Sequence, residues 1–407
     1  VIGMRRSGKT WFLFQSISDL LATGVPKEFV LYLNLEDERL LPLKTSDLHV
    51  IPDTYFRLYP HARDSKSYFF LDEIQNVTGW ERFLRRLLDT ENIHICITGS
   101  SARLLSTEIA TSLRGRSITT EIFPFSFFEY LSHHGVEVDL EKRPNSKKRS
   151  VIENKLRHYL IEGGFPEIQG LKAEYRIRIL QDYLNVVILR DLIERYGVSN
   201  TVALRYLIRH LMNAPASLFS INKFFNDLKS QGVSCGKNSL HEFMDYLADS
   251  YLFFQLFIHT TSERARMVNP RKVYVIDTGM INACSRNPRP QWGHLLENFV
   301  FTELRRKYRN IEYYKTSSGR EVDFVVTDID GNRSLIQVAA DITDLSTLKR
   351  EQTALEEAMG ELNISKSYVI TLDRENIIKT TSGSIYILPA WLWAIRLESS
   401  KANRFSL

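Results

Sequence analysis

The amino-acid sequence predicts an α/β protein whose amino-terminal part is a doubly wound parallel sheet, on three observations. Gly3-Met4-Arg5-Arg6-Ser7-Gly8-Lys9-Thr10 fits the pattern G-x-x-x-x-G-K-[ST] at every position. Tyr68-Phe69-Phe70-Leu71-Asp72-Glu73 is a short apolar run closed by two adjacent carboxylates, the form of a buried parallel strand. Around these, apolar runs alternate with helical periodicity as far as about residue 130, the pattern of strands joined by crossover helices.

The glycine turn comes first. Such a turn curls the backbone so that successive N–H groups, here from Gly3, Arg6, Ser7 and Gly8, converge on a phosphate at the positive end of the following helix. Lys9 is expected to reach the outer phosphates as a point charge, and Thr10 to ligate Mg²⁺ through its hydroxyl. Apolar residues at helical spacing after Thr10 supply the helix. The preceding strand is reduced to Val1-Ile2, and with no initiator methionine the true amino terminus is expected upstream. In the acidic strand, Asp72 is placed to hold Mg²⁺ through water and Glu73 to orient or deprotonate the attacking water. These motifs together imply ATP or GTP binding.

Further strands are read at residues 29–35 and 93–97. The second runs into Thr98-Gly99-Ser100-Ser101, whose Ser100 either senses a γ-phosphate or caps the next helix. The arginines of the helix at 80–88 read as a solvated face. In Leu113-Arg114-Gly115-Arg116, Arg116 is either a surface residue or an arginine aimed at a neighbouring subunit's γ-phosphate, which requires a homo-oligomer.

Composition sets bounds. At 407 residues, with 43% hydrophobic and 25% charged residues, the chain holds two to four ordinary globular domains. A net charge of +5 permits a nucleic-acid partner without arguing for one. Cys96, Cys235 and Cys284 are too scattered for a disulfide framework or a zinc site. No run nears the ~20 apolar residues that span a bilayer, and no signal peptide is visible. The expected compartment is therefore the cytoplasm, with no membrane partner.

Beyond the first sheet, residues 135–150 read as an exposed linker. A helical lid follows, broken at Gly163-Gly164-Phe165-Pro166-Glu167, with a long helix at about 175–196 on which Arg190, Asp191 and Arg195 either pair or face the nucleotide. Ser220 caps a helix, a turn spans 232–236, and a second helix leads to an apolar strand near Phe253, the outline of a winged helix-turn-helix. Glu242, Asp245 and Asp249 offset Lys237 on that second helix, so groove binding through it is not favoured. From Lys272 onward a second α/β unit is read: a strand, a helix at 295–308, and strands at 321–326 and 335–339 joined by Asp330-Gly331-Asn332. Glu297 on the helix, Asp323 on one strand and a polar residue on the next are placed to enclose a divalent metal.

Taken together, these motifs, with Leu71-Asp72-Glu73-Ile74-Gln75-Asn76-Val77, Pro124-Phe125-Ser126-Phe127, Asp277-Thr278-Gly279, Leu296-Glu297-Asn298 and Gly319-Arg320-Glu321-Val322-Asp323-Phe324, resemble a bacterial and archaeal family of AAA-type ATPases with a nuclease-like carboxyl-terminal domain. The resemblance covers nearly the whole chain. It implies an AAA-type ATPase domain at 1–135, a linker and helical lid at 136–198, a winged-helix-like region at 199–262 and a nuclease-like α/β domain at 263–407. ATP and Mg²⁺ are the implied cofactors. The carboxyl-terminal part looks like the PD-(D/E)XK restriction-endonuclease fold, with Glu297, Asp323 and Gln337 in its first three positions. Ala339 stands where that motif has lysine, and Lys315 is the candidate to take its role. Without such a cation the motif loses water activation, so the expectation is an ATPase switch acting on a degenerate nuclease-like domain. The alternative is a DNA-binding protein or a metal-dependent nuclease regulated by ATP.

Overall fold

The amino-terminal motifs lie on one parallel sheet. The structure, a computed structural model, describes residues 1–40, 43–100, 116–139, 142–286 and 289–402. It divides into two units, Val1–Phe123 with Asp249–Tyr251, and Pro124–Ala248 with Leu252–Leu407.

In the first unit β1 (Val30–Asn34), β2 (Ser67–Asp72) and β3 (Ile93–Ile97) pair in parallel in the order β1-β2-β3. Ile2 bridges in parallel to both Gly99 and Glu121, carrying the ladder past β3. The central strand β2 is covered on both faces, which is why its sequence is a continuous apolar run: Phe69 and Leu71 are fully buried. Each such side chain contributes roughly 1.5–3 kcal/mol of burial. The helix Lys9–Ala22 buries Leu13 against this core and leaves Trp11 exposed. The register sets Asn34 beside Asp72 and Leu71 beside Ile97, so the residues at the carboxyl ends of three strands meet at one edge.

The second unit begins with helices. The expected linker stops at Asn145, because that side chain accepts from Lys148 N at 2.9 Å and caps the helix Ser146–Glu162. Residues 146–150 are therefore the first turns of a helix with a polar outer face. The long helix is found as Ala173–Val186 continuing into a π-helical stretch, Val187–Glu194, where buried Asp191 pairs with Arg195 at 3.5 Å.

Two motifs far apart in sequence clasp one another here. Gly164 N donates to Asp277 Oδ2 at 2.6 Å, and Met280 N donates to Asp277 Oδ1 at 3.2 Å. Burial pushes the Asp277 carboxyl up to about 6, against the pull of the backbone N–H groups of Gly164, Met280 and Gly279. A Cβ on Gly279 would stand 2.0 Å from Glu162 O, a backbone atom that cannot swing away. Gly279→Ala is therefore expected to destabilise the second unit by about 1–3 kcal/mol, the range for overpacking a filled interior. Urea denaturation checks this, and an unchanged midpoint would reject the clasp.

A small antiparallel sheet follows in the order β4-β6-β5, from β4 (Ser217–Phe219), β5 (Phe253–Leu256) and β6 (Arg271–Val275). The helices Ile221–Ser230 and Lys237–Asp249 lie between β4 and β5 in the chain. Ser220 caps the first, accepting from Lys223 N at 3.4 Å. The strand read at Lys272 thus pairs with β4 and β5.

The large sheet runs β11-β12-β10-β9-β8-β7. The helix Trp292–Lys307 precedes β7 (Asn310–Lys315), β8 (Glu321–Thr327) and β9 (Arg333–Val338), an antiparallel meander whose β8 and β9 close at Thr327 and Arg333 as the turn residues predict. The helix Leu345–Leu362 then leads to β10 (Lys366–Thr371), parallel to β9, followed by β11 (Asn376–Thr380), β12 (Gly383–Pro389) and the helix Ala390–Ala402. Val322, Leu335, Leu355 and Ile385 centre its core. The outer edge of β7 is covered: Tyr313 N donates to Phe257 O at 3.0 Å and His259 N to Tyr313 O at 2.7 Å. Among the described residues no helix is long and apolar enough to cross a membrane.

Candidate functional site

The loop between Ile2 and the helix Lys9–Ala22 takes the strained path that a phosphate cradle needs. Gly8 has φ 107°, and Arg6, although not glycine, sits in the left-handed region at φ 68°. Ser7 is 3% exposed and its Oγ has no hydrogen-bond partner. Lys9, itself 4% exposed, donates from Nζ to Met4 O at 3.2 Å and stands 3.6 Å from Glu73 Oε1.

The loop and the acidic strand meet at Asp72. Thr10 Oγ1 donates to Asp72 Oδ2 at 2.8 Å, and Tyr32 from β1 donates to the same oxygen at 3.2 Å. Thr98, just past β3, donates to Asp72 Oδ1 and accepts from Glu73 N at 2.9 Å. Burial, with the neighbouring Asp72 charge, pushes Tyr32 up to about 12, so its hydroxyl keeps its proton and its donor role. Glu73 has φ 53°, a second strained residue at the same edge, and its Oε2 accepts from Gln75 Nε2.

Of the sequence-predicted residues, Gly3, Arg6, Ser7, Gly8, Lys9, Thr10, Asp72 and Glu73 lie in the loop and at this strand end. Ser100 is buried two residues beyond Thr98. Arg116 is exposed and pairs with Asp89 at 2.7 Å, while Ser101 and Arg114 lie outside the described residues. Thr98 was read as part of Thr98-Gly99-Ser100-Ser101 without its bond to Asp72, and Tyr32, which belongs to no linear motif, escaped the sequence reading. The residues fit a nucleotide and Mg²⁺. The buried Ser7 hydroxyl is without a partner, the Lys9 cation lies beside the loop, and Thr10 and Asp72 bring two hard oxygens together.

A second cluster forms in the other unit. Glu297 and Asp323 come together as predicted, but around a lysine that the motif does not supply. Lys272 Nζ stands 2.8 Å from Glu297 Oε1, 2.8 Å from Glu321 Oε1 and 2.7 Å from Asp323 Oδ1. Tyr274, two residues along β6 and so on the same face, donates to Glu297 Oε1 at 2.8 Å. Burial pulls the Lys272 ammonium down, yet Asp323, Tyr274, Glu297 and Glu321 outweigh it and hold the group well above its usual value. Burial and the Asp323 charge push Glu297 up to about 8.

Gln337 takes another place. Its Oε1 accepts from Asp323 N at 3.1 Å and its Nε2 donates to Glu351 Oε2 at 2.8 Å, so it positions Asp323 without facing the cation. Lys315 is exposed on β7, opposite Glu321 in register, and is not the cation among the acids. Among the described residues no group of three or more His, Cys, Asp or Glu side chains is placed to hold a metal ion. The Lys272 ammonium stands between Glu297 and Asp323. The one sequence signal was a lysine inside the buried run Arg271-Lys272-Val273-Tyr274-Val275.

Three stretches of the chain match known family models. Residues 1–131 match the family described as an AAA domain, which carries nucleotide binding of the ATPase type, and residues 153–291 and 292–393 match two domains of unknown function, DUF8612 and DUF4143. An uncharacterized protein of Haemophilus influenzae is 30% identical over 344 residues, covering 84% of this chain and 82% of its own length. A chain in the structure of Drosophila ORC bound to AT-rich DNA and Cdc6 aligns at 12% identity over 69% of this chain and 82% of that one, but its TM-score of 0.19 carries no argument about the fold. The uncharacterized protein MJ1544 of Methanocaldococcus jannaschii is 35% identical over 409 residues, covering 97% of this chain and 87% of its own length. At that identity and coverage the chain belongs to the family of MJ1544, with an AAA domain at its amino-terminal end and a DUF4143 domain towards its carboxyl-terminal end.

Proposed function

We propose that the first unit binds ATP with Mg²⁺ and hydrolyses it, and that the protein is a nucleotide-driven switch acting on a nuclease-like domain that does not cut. The observation that carries this is the 2.8 Å bond from Thr10 to Asp72, which joins the phosphate loop to the acidic strand at the place both motifs require. Bound ATP and Mg²⁺ supply the phosphoanhydride and neutralise charge on the transferring phosphoryl group.

The chain's own residues do the rest. Backbone N–H groups from Gly3 to Gly8 and the Lys9 ammonium receive the phosphates. Thr10 and Asp72 orient the ion, Asp72 being held already by the hydroxyls of Tyr32 and Thr98. Glu73 accepts the proton of the attacking water. Ser100 reads the outer phosphate. Arg116 reaches a neighbouring subunit's nucleotide in a homo-oligomer, since breaking its exposed pair with Asp89 costs only about 0–1 kcal/mol.

The winged-helix reading of the middle region is supported by its two helices and its β4-β6-β5 sheet. The nuclease-like reading of the last domain is supported by its element order of helix, three antiparallel strands, helix and parallel strand. Calorimetric titration of the protein with ATP in the presence of Mg²⁺ is expected to give saturable binding that weakens when the ion is chelated. No heat with any purine nucleoside triphosphate would reject the proposal.

A further inference from the structure

Three carboxylate oxygens of the second unit face a single ammonium. The Lys272 ammonium meets Glu297, Glu321 and Asp323 at 2.8, 2.8 and 2.7 Å, donating hydrogen bonds to Glu297 and Asp323 and pairing by charge with Glu321. Its side chain is 4% exposed, and β6 is fixed between β4 and β5. Two of the acids are fixed as well. Val338 N donates to Asp323 Oδ2 at 2.9 Å, and Tyr274 donates to Glu297.

A Mg²⁺ ion demands oxygens at about 2.0–2.1 Å in a near-octahedral shell. Oxygens gathered on one nitrogen leave no room among them for a second cation. We propose that Lys272 is the resident cation of this pocket, a tethered ammonium in the place a divalent ion would take, so that the pocket excludes Mg²⁺ and Mn²⁺. The lysine comes from the small sheet and the acids from the helix Trp292–Lys307 and from β8, so the same group that fills the pocket also ties the two sheets together. The inference does not depend on the nucleotide reading.

Removing the ammonium would leave three acidic side chains facing one another with no positive partner, an arrangement that a hard divalent ion relieves. The test is Mn²⁺ uptake, followed by the electron paramagnetic resonance of the free ion, in the full chain without nucleotide. Any weak uptake at the loop of the first unit is common to all arms. Wild type and Asp323→Asn are expected to take up Mn²⁺ equally. Lys272→Ala is expected to gain a site about tenfold or more tighter than any in the wild type, and Lys272→Ala combined with Asp323→Asn to lose it. Wild-type uptake that falls in Asp323→Asn overturns the proposal, as does a folded Lys272→Ala with no gain. Should Lys272→Ala fail to fold, the comparison of wild type with Asp323→Asn still decides.

Discussion

Glu73→Gln is expected to lower ATP turnover by about 10²- to 10⁴-fold, the usual contribution of a positioned general base, while leaving ATP affinity within a few-fold of wild type. The substitution keeps the shape of the side chain and an oxygen to accept from Gln75, so the strand end should stay as it is. Residue 73 has φ 53°, a conformation equally open to either side chain. What is lost is a carboxylate able to take a proton. Phosphate release under saturating ATP, with calorimetry on the same preparation, separates the two quantities. Undiminished hydrolysis would remove Glu73 from the reaction and leave it its contacts with Lys9 and Gln75.

The second large effect is on binding. Lys9→Ala is expected to weaken ATP by about 100-fold or more, or roughly 2.7 kcal/mol. Lys9 is the buried cation at the mouth of the loop, and its ammonium already lies within reach of both the loop carbonyl of Met4 and Glu73. Alanine favours the first turn of a helix, so circular dichroism should show an intact fold. Lys9→Arg should also bind poorly, because a planar fork does not replace a compact point charge. Wild-type affinity in Lys9→Ala would place the triphosphate elsewhere.

The loop was legible because one run of backbone makes the cradle, and its requirements are written in eight consecutive residues, Gly3 to Thr10. The acidic strand was legible for a related reason, since burial on both faces forces an apolar run. The bonds of Tyr32 and Thr98 to Asp72 were not, because they reach it from neighbouring strands, and only the register decides which side chains stand beside it. Lys272 was hidden more deeply. The nuclease-like motif asks for its lysine on β9, where Ala339 follows the strand, and the cation that meets the acids arrives instead from another sheet. The linker was overextended because lysine and arginine read as loop when the cap at Asn145 is overlooked. The clasp between Gly164 and Asp277 could not be read at all, as nothing local links residues 113 positions apart.

The covered edge of β7 decides where the last domain can be cut from the rest of the second unit. Residues 257–259, which lie along that edge, and Lys272 both fall within the matched region 153–291, whereas their partners fall within 292–393. A gene fragment starting at the seam between those regions would encode a sheet with a bare rim and an acidic hollow of uncompensated negative charge, prone to zip onto a second copy of itself. A folded fragment of the last domain is therefore expected to need residues 257–275, which supply the bonds along the β7 edge and the Lys272 cation.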